Sequence, residues 1–419
     1  MGLAGLGLPT SNSHLARVMA AARVPQAEAW AANPRMLQER LLRLKDLGLA
    51  ETTRQGYWVC ADRALESAAR MAFARGLLGR LHAGALNGSP GMVLADAFGR
   101  SRAELRLAFL EGRHEAWLPL RERFAQQFGA SIRHRDPLAL VCGGPFEPAW
   151  FDTLGPAAQA YGCQALLLDQ ALLGRSSPAW MAWMEARSRQ PRATPSALSI
   201  MLFLVLQGRT AELAAWQAAQ PARTREGYAW PALEAMAALA SGDPAGAAAR
   251  FAQSLARLAQ ATGRPDPVLP GLYEPFHILA LLAVRAPGAR ARIAQLERRD
   301  REDPLQPAAA PLARLARALD GGPPPPPRTR LTPSTVLNAV LEVLVSYLGG
   351  EPVAPELPER LRKACAPLPL AWLGAELLEL RNRLQGLPVR PSPLLDLVPQ
   401  QAPWERALAS LRQLGQENP

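Results

Sequence analysis

Leu37, Leu41, Leu44 and Leu47 recur three or four residues apart, which predicts one amphipathic helix with these leucines as its apolar stripe. Asn33-Pro34 marks its start, an N-cap residue followed by a proline where the missing N–H costs nothing, and Gly48 marks its end. Beyond Gly48 the pattern changes. β-Favouring residues lie on either side of a Gln55-Gly56 turn, with Tyr57 and Val59 alternating against Trp58, so a short hairpin is expected between Glu51 and Cys60. Ahead of the leucine helix, Ser11-Asn12-Ser13 can cap a helix through Leu15, Val18 and Met19. Pro25 then allows a second short helix through Ala27 and Trp30. Helical spacing resumes from Asp62 through Leu65, Ala69, Phe73 and Leu77.

Helix, helix, helix, hairpin is the order of a winged helix, expected over residues 1–81. A looser stretch, His82 to Gly99, holds Asn87-Gly88 and Pro90-Gly91 and marks the first boundary. Over residues 100–320 a weak repeat shows. Phe109 to Arg113, Val205 to Arg209 and Leu239 to Asp243 each join a helix end, a glycine turn and a new helix start, and Gly208 and Gly242 stand 34 residues apart, the tetratricopeptide period. Pro231 to Ala240 and the segment after Gly242, with Phe251 and Leu255 on one face, read as the two halves of one hairpin. Such hairpins bury their apolar faces only by stacking into a solenoid. Pro323 to Pro327 make residues 321–331 an extended linker. A C-terminal helical domain, 332–419, is expected to contain Val336 to Leu348, Leu357 to Cys365, Ala371 to Leu384 and, after more prolines, Trp404 to Leu414. The fold class is therefore mainly α: a winged helix, a tetratricopeptide-like helical-repeat solenoid and a C-terminal helical domain.

Composition agrees. Hydrophobic residues make up 49% of the 419, mostly Ala and Leu with only 6% aromatics, which excludes a disordered chain and favours helix over sheet. The net charge of +11 attracts polyanions such as nucleic acid, although arginines scattered along an Ala/Pro/Arg-rich chain give the same total without a binding role. Cys60, Cys142, Cys163 and Cys365 are far apart, which fits a reducing cytoplasm better than a disulfide scaffold. The N-terminus lacks a basic secretion-signal region, and the longest apolar run, Ala197 to Leu206, is too short for a bilayer and suits a buried helix.

Catalytic chemistry finds no anchor. There is no GxxxxGK[ST] loop, no GxSxG elbow and no HExxH or Cys/His ligand spacing among His14, His82, His114, His134 and His277. No cofactor and no metal is expected. A cleft around His134 and Asp136 is where an unrecognised enzyme site would be sought, and Cys142 reads as a turn residue. Trp180 and Trp183, like Phe124 and Phe128, sit at helical spacing. They serve as core packing or, alternatively, as stacking platforms for bases.

The candidate binding residues are therefore cationic. Arg35, Arg40, Arg43 and Lys45 fall mostly outside the leucine stripe and leave a face for phosphates. Arg54 at the hairpin tip would reach the neighbouring backbone of double-stranded DNA. The alternative is a winged helix that binds protein, with these cations merely solvated.

The basic winged helix, the Arg106-Leu107-Ala108-Phe109-Leu110-Glu111-Gly112 helix-turn, the degenerate repeats and the closing Pro403-Trp404-Glu405-Arg406-Ala407-Leu408 helix together resemble the N-terminal region of bacterial SWI/SNF-type DEAD/DEAH-box helicases. The resemblance implies a non-catalytic DNA-binding and regulatory module, with the ATP-driven motor lying downstream. No motor motif occurs in this chain, so it would be a separated N-terminal half or a relative without the motor. No catalytic residue carries over. The helical repeats and the Trp404 helix would dock the motor or another protein. A helical-repeat interaction scaffold and a ligand-responsive transcription regulator are the alternatives.

Overall fold

The computed structural model describes residues 2–3, 10–52, 56–81, 104–105, 107–113, 116–117, 119–120, 123, 146–174, 176–302, 309–320 and 335–397. The expectations for Arg54, for the 82–99 boundary, for Phe124, Phe128, His134, Asp136 and Cys142, for the 321–331 linker and for the Trp404 helix lie outside the described residues. The protein is mainly helical, with one two-stranded sheet among the described residues. No described helix is long and apolar enough to cross a membrane. The chain divides into two compact units, one of residues 1–169 with 177–186 and 194–196, the other of the remainder.

The first unit opens with α1 (Asn12–Ala21), α2 (Ala27–Ala32) and α3 (Pro34–Asp46), then β1 (Ala50–Thr52), β2 (Trp58–Cys60) and α4 (Asp62–Ala74). Ser11 caps α1 by accepting from the His14 N–H, and Asn33 caps α3 by accepting from that of Arg35, each side chain satisfying a donor the helix cannot. At its other end α3 closes with Gly48 at φ 63°. The Gly48 N–H donates to Lys45 and the Leu49 N–H to Leu44, the paired bonds of a Schellman turn. The strands are antiparallel, Glu51 opposite Val59. Thr10 also exchanges both backbone hydrogen bonds with Trp58, at 2.9 and 2.8 Å, so β2 is flanked on both edges. Leu15, Trp30, Leu37, Leu41 and Trp58 form the core of this part.

Leu44 and Leu47, expected within the buried stripe, are 37% and 59% exposed. Leu37 and Leu41 are covered, and the stripe is left open beyond them. Later in this unit come α5 (Pro148–Phe151), α6 (Pro156–Leu173), whose last turn groups with the second unit, and α7 (Pro178–Ser188), divided in the same way. Phe151 and Trp183 meet edge to face at 5.1 Å, and the Trp183 indole N–H donates to Asp152 at 3.1 Å.

The second unit contains α8 (Ala197–Leu206), α9 (Thr210–Ala218), a 3-10 turn (Ala222–Arg225), α10 (Ala229–Ala240), α11 (Pro244–Thr262), α12 (Tyr273–Ala283), α13 (Ala289–Glu302) and α14 (Ala309–Leu319). After these come α15 (Val336–Leu348), α16 (Leu357–Cys365) and α17 (Ala371–Leu384), with the bounds expected. Every residue of α8 except Leu198 is buried, Ser199 included, as its apolar run predicts. Gly208 and Gly242 have φ of 73° and 78°, and each closes a helix with the same pair of backbone bonds, so the shared sequence pattern is a shared turn. Asp243 and Pro244 then start α11, the carboxylate accepting from Gly246 at 2.8 Å, and α10 and α11 pack as one hairpin around Phe251.

Two buried acid clusters hold the loops of this unit. Arg292 donates to both oxygens of Glu274, at 2.8 and 2.7 Å, and to the Pro267 carbonyl, pinning the loop before α12. Near the other end, Glu376 accepts from the Trp372 indole, from the Ser392 hydroxyl and from the Leu394 N–H, which straps residues 388–397 onto α17.

Candidate nucleic-acid interface

Helical periodicity sorts the side chains of α3 into four strips. Leu37 and Leu41 face the core, 4% and 2% exposed. Opposite them stand Arg35, Glu39, Arg43 and Asp46, all exposed. Their spacing of three and four residues makes each cation the neighbour of a carboxylate, so the outermost face alternates in sign. One flank, Pro34, Gln38, Leu42 and Lys45, borders the hairpin. The other carries Met36, Arg40, Leu44 and Leu47 and exposes apolar surface beside a single cation.

Each predicted site residue can be placed on this pattern. Arg35 and Arg43 point outward. Arg40 turns back over the helix before it: its guanidinium carbon lies 5.1 Å from the Trp30 ring centre, and Nη2 donates to Gln26 at 3.3 Å. Lys45 reaches across to the hairpin, where its ammonium donates to the Thr52 hydroxyl at 3.1 Å and ties α3 to β1. The structure thus brings Arg35 and Arg43 together on one face, and sets Arg40 and Lys45 on opposite flanks.

A groove of about 560 Å3 opens between α3, the hairpin and the start of α1, lined by Ser11, Ser13, Gln38, Lys45, Thr52 and Tyr57. Sequence reasoning followed charge and so passed over Gln38 and Tyr57. The period that places Pro34, Gln38 and Lys45 on one flank was there to be read. Gln38 has both a donor and an acceptor, the equipment for an adenine edge, while Lys45 supplies the positive charge. His14 adds none: burial first, and then the Arg17 charge, hold it below its ordinary value, so it is neutral at pH 7.

Trp180 is fully buried and Trp183 is 8% exposed, so both pack the interior of their unit rather than present a face to a base. Among the described residues, no group of three or more His, Cys, Asp or Glu could hold a metal ion. Comparison with protein-family models, with curated proteins and with solved structures finds no match.

Proposed function

We propose that this chain is a cytoplasmic, non-catalytic DNA-binding and regulatory module that belongs to, or serves, a SWI/SNF-type ATP-dependent helicase. In this reading the first helices and the hairpin are a winged helix, and the second unit is a helical-repeat scaffold that docks the motor or another protein. One observation carries it. α3 is exposed along all but its core strip, with its cations on the solvent side and the hairpin fastened along one flank by Lys45. A helix so presented can enter a major groove, with Arg35 and Arg43 on phosphates or guanine edges and Gln38 beside them. Titration of a labelled duplex tests this. Arg35→Gln/Arg43→Gln should weaken binding and make its salt dependence shallower by about 1.8 in log–log slope, at about 0.9 for each phosphate no longer neutralised. An unchanged slope removes α3 from the interface.

A second reading is favoured by the exposed flank of Met36, Leu44 and Leu47. Apolar side chains clustered on a surface helix mark protein contacts more than phosphate contacts. In that case α3 docks a protein, and Leu44→Asn/Leu47→Asn abolishes a salt-insensitive association while leaving DNA titrations unchanged.

A further inference from the structure

A group of exposed and partly exposed arginines in the second unit is not continuous in sequence. The indole of buried Trp216 donates to the Ser188 carbonyl at 2.7 Å, and buried Gln220 donates from Nε2 to the Arg192 carbonyl at 2.8 Å, which lays the 188–192 segment against the end of α9. The 3-10 turn lies on the other side of Gln220. There Arg225 Nη2 donates to the carbonyls of Gln217 and Gln220, at 3.1 and 3.5 Å, with its guanidinium 5.5 Å from the Trp230 ring centre. Arg257, from α11, donates to the carbonyls of Arg225 and Gly227. Two buried side chains and two backbone-anchored guanidinium groups therefore set the backbones of Arg192 and Arg223 and the guanidinium groups of Arg225 and Arg257 near Gln220, with Arg189 three residues before Arg192 on the same segment. Arg189 lies close enough to Glu212 to help lower its carboxyl below the ordinary range, after the larger effect of the Arg209 hydrogen bond. Glu212 itself is already engaged by Arg209, at 2.6 and 2.5 Å, which leaves Glu226 as the acid within the turn.

We infer that these five arginines form a second polyanion-binding surface, separate from α3, that takes the phosphodiester backbone of duplex DNA. Three features point to that partner. The cations are all arginine, whose planar fork matches phosphate oxygens in pairs. Arg225 and Arg257 are held in place by backbone carbonyls before any ligand arrives, so less side-chain freedom is lost on binding. Among the described residues no large apolar side chain is exposed between 187 and 264. A protein interface needs a buried apolar or aromatic anchor at its centre, and a vesicle-binding surface needs an inserted one; a phosphate backbone needs only charge. The inference does not depend on α3 touching DNA.

The test uses the full chain and a labelled 30-base-pair duplex, titrated by fluorescence anisotropy between about 50 and 200 mM salt, the range over which phosphate contacts change affinity steeply. Arg192→Gln/Arg223→Gln removes two exposed cations that make none of the anchoring bonds above. Counterion release at about 0.9 per phosphate corresponds to about eightfold per phosphate at 0.1 M salt, so the double variant should bind about 60-fold more weakly with a slope shallower by about 1.8. Melting temperature and circular dichroism check that the fold is kept. Arg223→Gln alone, which should show about half of that slope change, guards against misfolding of the double variant. Unchanged affinity and slope in both variants overturn the inference, as does a wild-type chain that fails to bind duplex at 50 mM salt. Poly-glutamate or phosphatidylserine vesicles that compete equally with DNA, at matched charge, overturn the assignment to a nucleic acid. Arg35→Gln/Arg43→Gln is run in parallel. A loss in that variant alone supports the α3 proposal and refutes this one, and a loss in the Arg192 variant alone does the reverse.

Discussion

Replacing Arg292 by methionine should be the most damaging single substitution in the second unit. Arg292 is 8% exposed, and its guanidinium donates to both oxygens of Glu274, to the Pro267 carbonyl at 3.0 and 3.1 Å, and to Asp266 at 2.9 Å. Glu274 has no exposure at all, so the variant leaves a carboxylate inside with its main partner gone. Removing one side of such a pair costs about 3–5 kcal/mol. At about 2–4 °C per kcal/mol for a unit of this size, the melting temperature should fall by about 6–20 °C.

The pH dependence gives a sharper check. Burial, the largest effect, would raise the Glu274 carboxyl, but His277 and Arg292 together outweigh it and hold the group below its ordinary 4.5. Arg292 is the closer partner, donating at 2.8 and 2.7 Å, where His277 Nδ1 stands 3.5 Å from Oε1. With the folded value below the unfolded one, the stabilisation is complete above about pH 4.5 and is lost as pH falls through the folded value. In Arg292→Met one of the two groups that outweigh burial is gone, so the carboxyl moves upward and the variant loses less stability than the wild type as pH falls. Urea melts of both proteins from pH 7 to 3 measure this. Glu274→Leu/Arg292→Met should recover part of the loss, short of full recovery because the Leu269 N–H, 2.8 Å from Glu274, loses its acceptor. A single variant within about 1 kcal/mol of wild type, or a double variant weaker than the single, would refute this reasoning.

Two further stability predictions accompany the binding tests on α3 and on the arginines around Gln220. Gly174 and Gly242 both sit at positive φ, 67° and 78°, but a Cβ on Gly174 would lie 2.9 Å from Val336 Cγ2 while one on Gly242 meets nothing within 4 Å. Gly242→Ala should therefore cost only the left-handed backbone term of about 1–2 kcal/mol, and Gly174→Ala clearly more in the same denaturant melt. Glu376 is held by donors alone, so Glu376→Gln turns an NH2 toward one of them and should cost about 1–3 kcal/mol; limited proteolysis should then cut within 388–397 sooner than in the wild type. Burial raises the Glu376 carboxyl despite those donors, so lowering the pH through its folded value favours the folded state and should slow that cleavage in the wild type.

The helices of the second unit were readable because proline, glycine and capping residues punctuate them. Asp243-Pro244 starts α11, and the bounds of α15, α16 and α17 follow from their apolar periodicity between such breaks. Leu44 and Leu47 misled because periodicity shows which side of a helix is apolar, not how much of that side is covered. Contacts distant in sequence left no local trace. Thr10 finds Trp58, Arg292 finds Glu274, Gln220 finds the Arg192 carbonyl and Arg257 that of Arg225, each pairing set by tertiary packing alone. Of the candidate interface, charge picked out Arg35 and Arg43, but the alternation with Glu39 and Asp46 and the folding back of Arg40 became visible only once the strips of α3 were assigned.

The backbone exchange between Thr10 and Trp58 has a practical consequence for anyone handling this protein. Because it holds residue 10 against the hairpin, and Ser11 lines the groove beside α3, a shortened protein that begins after Thr10 would lose the partner on one edge of β2 and open the candidate interface beside it. A tag fused at such a start would place its own charge beside Lys45 and contribute salt-dependent affinity for DNA. Binding measurements on α3 should therefore use protein that keeps Thr10.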